Sequence, residues 1–490
     1  MGLSAVVMLV AAATFTLVGI AKVGRRTVDL EDYVVSRNQV GGPMALATVT
    51  ASALGAWILF GPVEAGSAMG GVTALLGYCL GSAGAIFMFV FVGPRLRQIM
   101  PWGHSLNEYV RHRFDQGPFA QPMYWLTVLV MLLYMFVYLA AELTAIAKTL
   151  NLVAGVPLLA TSLVVIIAVF IYTTYGGLKV TILTDALQFV VIVPLLLICF
   201  IATLVMLGGL GNAFAPVAEK APELLSLGNI GGIRFGATLV IAVVAAELFN
   251  QGNWQRVYAC RDDQTVRGSF LGSSLVILPL LLIAGLLGLI AAGSDLTGET
   301  AFFDLLQNLE IPSWLLGAVV LLAIALVMSS LDTLLNGISA VFTIDLLRLS
   351  NRPEQVLQFS RILTVVVGIP AVVIAAQGYS VLYLFFIADL ICAALLFPII
   401  FSLYSRYHTA ANAFVSSLIG IAIGTLFFPT PSFAPLFGVP GGGDLLNSFA
   451  AALVTSTVIT LAWHAIDKSF NNQKITPFNY SSLSRVKPYR

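Results

Sequence analysis

About thirteen apolar runs, each long enough to cross a bilayer, constrain this chain's fold more than any other feature. They lie at roughly 3–21, 41–66, 70–93, 122–149, 158–175, 181–207, 233–252, 268–292, 314–347, 359–377, 380–403, 409–428 and 446–466. Hydrocarbon offers no partner to a backbone N–H or C=O, so runs of this length must be helices. The 490 residues are 59% hydrophobic and only 10% charged, where a soluble protein carries about 25% charged residues. The expected class is an all-α polytopic membrane protein. The first run has no basic residue ahead of it, so it reads as a spanning helix and not as a signal peptide.

The basic residues sort by side. Lys22, Arg25, Arg26 and Arg37 fall in the first loop, and Arg95, Arg97, Arg111 and Arg113 in the third. Lys179 falls in the fifth, Arg256, Arg261 and Arg267 in the seventh, Arg348, Arg352 and Arg361 in the ninth, and Arg406 in the eleventh. Lys468, Lys474, Arg485, Lys487 and Arg490 lie in the tail, which leaves only Lys148, Lys220 and Arg234 on the other side. The positive-inside rule makes the odd loops and the C-terminus cytoplasmic and the N-terminus external, in a plasma (inner) membrane. A net charge of +1 suggests no nucleic-acid partner. The four cysteines lack metal or redox spacing, and there is no Gly-x-x-x-x-Gly-Lys loop for ATP. Nothing reads as an enzyme's nucleophile and base, so a non-enzymatic protein is expected.

One apolar helix carries polar oxygen atoms. In Met328-Ser329-Ser330-Leu331-Asp332-Thr333, with Asn336 beyond, the residues Ser329, Asp332, Thr333 and Asn336 share a face at i, i+3, i+4 and i+7. A carboxylate at membrane depth costs several kcal/mol unless something offsets it, which makes Asp332 a functional candidate. Oxygen-only ligands suit a hard cation such as sodium. Serine and threonine also hold membrane helices together, and Ser339 fits that bland reading equally well.

Two helices look broken. In Ala51-Ser52-Ala53-Leu54-Gly55-Ala56-Trp57-Ile58-Leu59-Phe60-Gly61-Pro62, two glycines and a proline weaken the helix near mid-membrane. Five helices later, Glu247-Leu248-Phe249-Asn250-Gln251-Gly252-Asn253 repeats that weakness. Freed carbonyls at such points can be satisfied by a cation or a substrate. Breaks at matching points of two halves point to an inverted-repeat transporter. The repeats would be 41–207 and 208–403, preceded by a first helix and loop (1–40) and followed by two accessory helices and a tail (404–490).

Three segments together resemble the sodium/solute symporter family. They are Tyr175-Gly176-Gly177 with Thr184, Asp185 and Gln188; Ser329-Ser330-Leu331-Asp332-Thr333 with Asn336 and Asp345; and Ala51-Ser52 with Gly55, Ala56 and Gly61. Asp32-Tyr33 with Arg37, and Gly93-Pro94-Arg95, match loop patterns of the same family. The resemblance implies a leucine-transporter-type inverted repeat of five plus five helices, and Na+ as the coupling ion. Carried over, it places a first sodium site on the carbonyls of Ala51, Leu54 and Leu326 and the hydroxyls of Ser329 and Ser330. It places a second cation at Asp185, Asp332 and Thr333, where two nearby acids could instead share a proton. No lysine or arginine is expected at that depth. It places substrate contacts at Trp57, Phe60, Ser67, Asn250, Gln251 and Asp389. Glu142 and Glu247 also fall in apolar helices and are expected near the interface.

The resulting expectation is a sodium-coupled symporter that imports a small polar solute such as proline, urea or a sugar by alternating access. Its partners would be that solute, sodium and the lipid bilayer, with a monomer as the unit. A proton-coupled carrier and a passive channel or sensor are the other readings of the same fold. The tail after Lys468 is too short for a sensor's signalling domain.

Overall fold

The computed structural model describes residues 3–23, 30–346, 353–470 and 476–486. Arg25, Arg26, Arg348, Arg352, Lys474, Lys487 and Arg490 of the charge pattern lie outside them. The helices that matter, in chain order, are α1 (Leu3–Val23), α2 (Gly42–Ala53), α3 (Gly61–Ser67), α4 (Val72–Ile99) and α5 (Ala120–Ala154). There follow α6 (Leu158–Thr173), α7 (Gly176–Met206), α8 (Ile230–Glu247), α9 (Gln251–Ala259) and α10 (Asp263–Ala292). The last five are α11 (Ser313–Val341), α12 (Pro353–Gln377), α13 (Val381–Ser402), α14 (Ala410–Phe427) and α15 (Leu445–Phe470).

Among the described residues ten helices are long and apolar enough to span, and α2 with the segment Ala56–Ser67, bent by 55°, would make an eleventh if it counts as one span. Two shorter apolar helices, Val6–Ala21 within α1 and α6, complete the set read from hydropathy. Large apolar side chains such as Leu129, Val190 and Val205 stay exposed on outer faces, as a lipid-facing surface requires.

Both breaks are where glycine and polar residues placed them. Leu54 (φ −104°, ψ 120°) and Gly55 (φ −121°, ψ 179°) are extended, and a short 3-10 turn, Ala56–Leu59, leads into α3. The Leu54 N–H bonds the Ala51 carbonyl at 3.1 Å, and the carbonyls after it have no following helical turn to bond. The second break separates α8 from α9, with Asn250 extended at the start of α9. Several helices run past their hydropathic bounds, so that Arg95 and Arg97 lie on α4, Lys179 on α7 and Arg361 on α12 and not in loops, and one boundary bears on the site. The run 233–252 ends as helix at Glu247, and the supposed loop after it is the half-helix α9. Arg256 lies on that half-helix, 1% exposed, and not in a cytoplasmic loop. Hydropathy takes a short polar half-helix for a loop.

α11 runs through the middle of the molecule and is buried at every position from 322 to 341. It packs on α5, α7, α1, α9 and α2. α6 and α7 meet at a kink where Gly177 takes φ 57°, ψ −162°, with Tyr33 packed where a side chain would be. α4 lies along both α8 and α10, and α10 along α3. An added Cβ at Gly77 of α4 would overlap the backbone of Gly236 on α8, and one at Gly288 of α10 the backbone of Val63 on α3. These helices thus touch backbone to backbone, as small residues permit in membranes.

At the arginine-rich end, loops join the bundle through a buried charge cluster. Arg37 Nε donates to Glu31 Oε1 at 2.6 Å, and His104 lies between Glu31 Oε2 (2.7 Å) and Glu108 Oε2 (2.9 Å). Burial alone would raise Glu31 and lower His104. The hydrogen bonds and charges linking them to each other, to Arg37 and to Glu108 outweigh it. Glu31 is therefore held below the usual glutamate value and His104 above the usual imidazole value. A raised histidine contributes stability that is complete below its unfolded value of 6.5 and lost as pH rises through the folded value. The Glu31 contribution behaves oppositely and fades only in acid, as pH falls through its lowered value. Melting temperature should accordingly fall as pH rises above 6.5, and His104→Gln should flatten that slope. A parent protein that melts identically across this range would refute the charged cluster.

Candidate functional site

The first break sits against the polar stretch of α11. α11 packs on α2 and on the turn Ala56–Leu59. Ala51, Leu54 and Leu326 are fully buried, as is Ser329, with Ser330 at 1%. The Ser330 hydroxyl is within hydrogen-bond distance of the carbonyls of Val327 (3.1 Å) and Leu326 (3.3 Å). Sequence reasoning missed a third party here. Glu142 of α5, expected near the interface, is fully buried, and its Oε2 accepts the Ala56 N–H at 2.8 Å. Its other oxygen, Oε1, is buried without a hydrogen-bond partner among the described residues, with Ser330 beside the carboxylate. A Cβ at Gly55 would overlap it, so glycine at 55 gives the glutamate its place.

One helical step along α11 is a charged knot. Asp185 of α7 accepts from Ser329 Oγ (2.6 Å) on one oxygen, and from Thr48 Oγ1 (2.5 Å) and Arg256 Nη2 (2.6 Å) on the other. Arg256 also donates to Thr333 Oγ1 (2.7 Å), Thr48 Oγ1 (3.0 Å) and the Gly252 carbonyl (3.0 Å). Asp332 accepts from Tyr172 and Thr184 hydroxyls, each at 3.0 Å. Asn336 donates to Thr181. The structure thus brings Asp185, Asp332, Thr333 and Ser329 together, as the helical face suggested. It overturns the expectation that no basic residue reaches them: Arg256 stands among them with its guanidinium on Asp185. The available signal was its place six residues after the break at Asn250, one and a half turns into a half-helix that starts inside the membrane.

Beyond the first break lies a cavity of about 40 Å³, enough for a few water molecules. It is bounded by Trp57 of the 3-10 turn, Tyr78 of α4, Tyr134 and Tyr138 of α5, and Phe385 of α13. Trp57 stacks on Tyr78 with centroids 5.4 Å apart, and Phe385 meets Trp57 (6.2 Å) and Tyr138 (4.9 Å) edge-on. Two acids complete the wall, Glu247 at the end of α8 and Asp389 of α13. Glu247, expected near the interface, is only 8% exposed and accepts from Tyr134 (3.0 Å), Asn250 (3.0 Å) and Asn253 (2.6 Å).

Of the expected substrate contacts, Trp57 and Asp389 line this cavity, and Phe60, Ser67, Asn250 and Gln251 do not. Phe60 packs on Phe303. Ser67 bonds the Gly298 backbone. Asn250 caps α9 by accepting the Gly252 N–H at 3.0 Å. Gln251 donates to the His104 carbonyl at 2.7 Å. Helical position alone does not tell which side of a half-helix faces a cavity.

The comparisons with known proteins agree with this architecture. A spermidine transporter of Candida albicans is 28% identical over 93% of this chain and 88% of its own length. The sodium/proline symporter of Escherichia coli is 23% identical over 72% of this chain and 73% of its own. A solved Na+-coupled sialic acid symporter in a substrate-bound outward-open state superposes with a TM-score of 0.76 at 17% identity, over 95% of this chain and 98% of that one. That likeness shows the leucine-transporter-type fold. Residues 33–420 match the sodium:solute symporter family along its characteristic sequence, and the chain belongs to that family.

Proposed function

We propose that this membrane transporter is a sodium-coupled symporter that imports a small polar organic solute by alternating access. The observation that carries the reading is the break at Leu54–Gly55 packed against Ser329 and Ser330 of α11. Carbonyls of Ala51, Leu54 and Leu326 and hydroxyls of Ser329 and Ser330 would take the sodium ion. These neutral oxygens hold an ion firmly enough to bind and loosely enough to release. The solute would occupy the cavity at Trp57, directly after the broken turn, so ion and solute would order the same segment. The N-terminus is read as external and the arginine-rich end as cytoplasmic.

At Asp185, Asp332 and Thr333, where the sequence suggests a second cation, the Arg256 guanidinium already brings a positive charge. We therefore read one sodium per cycle. A proton in place of sodium is the second reading, favoured by the buried Glu142 carboxylate beside Ser330. Uptake into proteoliposomes under separate sodium and proton gradients decides between them.

Ser329→Ala and Ser330→Ala each remove one neutral ligand. The sodium concentration for half-maximal uptake should rise about five- to tenfold, the scale of one lost hydrogen-bond-strength contact. Alanine suits a helix, so Ser330→Ala should change folding little, whereas Ser329→Ala also gives up the hydrogen bond to Asp185 and should lower the melting temperature. Equal sodium dependence in parent and both variants would remove the assignment.

A further inference from the structure

The chemistry of the cavity also restricts the solute, if the symport reading holds. We propose that the cavity at Trp57 takes the ammonium group of an organic cation, an alkylamine or polyamine. Its lining holds two carboxylates, Glu247 and Asp389, and no lysine or arginine. Asp389 is 4% exposed and makes no hydrogen bond or ion pair among the described residues, and its Oδ1 is wholly buried without a partner. Glu247 has only neutral donors, from Tyr134, Asn250 and Asn253. Both acids border the same cavity. A cation between them offsets both charges, as an intramembrane acid without a partner requires.

The remaining walls fit the same ligand. Trp57, Tyr78, Tyr138 and Phe385 form an aromatic cage, and aromatic faces attract ammonium groups through their negative quadrupole. The small volume admits a slender ammonium end more readily than a bulky ring.

Carboxylate-bearing solutes are disfavoured by a separate observation. In broken-helix transporters, free N–H groups at the breaks receive a substrate carboxylate. Here the chain has filled them itself: Glu142 takes the Ala56 N–H, and Asn250 takes the Gly252 N–H. An amino acid's carboxylate in this cavity would meet Glu247 and Asp389, with the Trp57 indole N–H as a donor on the wall.

The test uses purified full-length protein, in proteoliposomes for uptake and in detergent for melting. Labelled putrescine, urea and proline are offered with and without an inward sodium gradient, and spermidine serves as competitor. Putrescine uptake should be saturable, driven by sodium and blocked by spermidine. Asp389→Asn, which keeps the size and removes the charge, should raise the putrescine KM about tenfold while sodium still raises the melting temperature. Sodium-driven uptake of urea or proline that neither amine inhibits would overturn the amine assignment and leave the symport reading standing. An unchanged putrescine KM in Asp389→Asn would overturn it too, as would absence of any melting shift with putrescine or spermidine. Putrescine uptake indifferent to sodium would do the reverse, sinking sodium coupling and keeping the amine site.

Discussion

Arg256→Ala, with Asp185 left charged, is expected to abolish solute uptake and to lower the melting temperature more than any other single change discussed. The guanidinium makes four hydrogen bonds, to Asp185, Thr333, Thr48 and a backbone carbonyl, in a place 1% exposed. Breaking a buried ion pair from one side costs about 3–5 kcal/mol, because the remaining charge has no solvent and no counter-charge. Asp185→Asn is the mirror experiment and should destabilise for the same reason. Arg256→Lys keeps the charge but loses the planar fork that reaches three side chains at once, so partial stability without full transport is expected. Asp185→Asn combined with Arg256→Gln should recover much of the melting temperature without restoring sodium-dependent uptake. Thermal unfolding in detergent and uptake in proteoliposomes read the two effects separately. An Arg256→Ala protein that melts and transports like its parent would show that the pair is dispensable.

Gly55→Ala is the second large effect. The backbone there is extended at φ −121°, which alanine accepts, so strain is not the reason. The added methyl would occupy the space of the Glu142 carboxylate. Glu142 would have to leave the Ala56 N–H, and a hydrogen bond to a charged group contributes about 1.5–3 kcal/mol. Uptake should fall at least about tenfold, since 1.4 kcal/mol is tenfold in an equilibrium. Glu142→Ala should clear the clash in the Gly55→Ala background, so the two substitutions together should be less than additive. Strict additivity of their effects on sodium dependence would separate the two residues.

The sequence showed most where chemistry and periodicity coincided. Thr333, Asp332 and Ser329 share a face at helical spacing, and they do converge with Asp185. Gly55 marked the first break because an apolar helix near mid-membrane rarely ends without a cause. Arg256 was misread because side assignment counts charge along the chain, and a half-helix that begins within the membrane looks like a polar loop. Glu142 was misplaced for the opposite reason. Its neighbours are apolar, its partner is a backbone N–H 86 positions away, and no pattern in the chain announces that pairing. The aromatic cage draws on the 3-10 turn, α4, α5 and α13, so its members sit too far apart in sequence for spacing to group them.

The backbone-to-backbone seams at Gly77–Gly236 and Gly288–Val63 have a mechanical consequence. At these glycines the helices meet backbone to backbone, with no side chain in between to bend or repack. α3, α4, α8 and α10 should therefore turn as one stiff lever with little internal give. α4 has 28 residues, so at 1.5 Å per residue it is about 42 Å long. A tilt of about 10° around its midpoint carries each end through roughly 3–4 Å, about the width of a water molecule or a methylene chain. Under the proposed alternating-access reading, a slight angular change at the Gly55 break would become an opening at one mouth and a closure at the other.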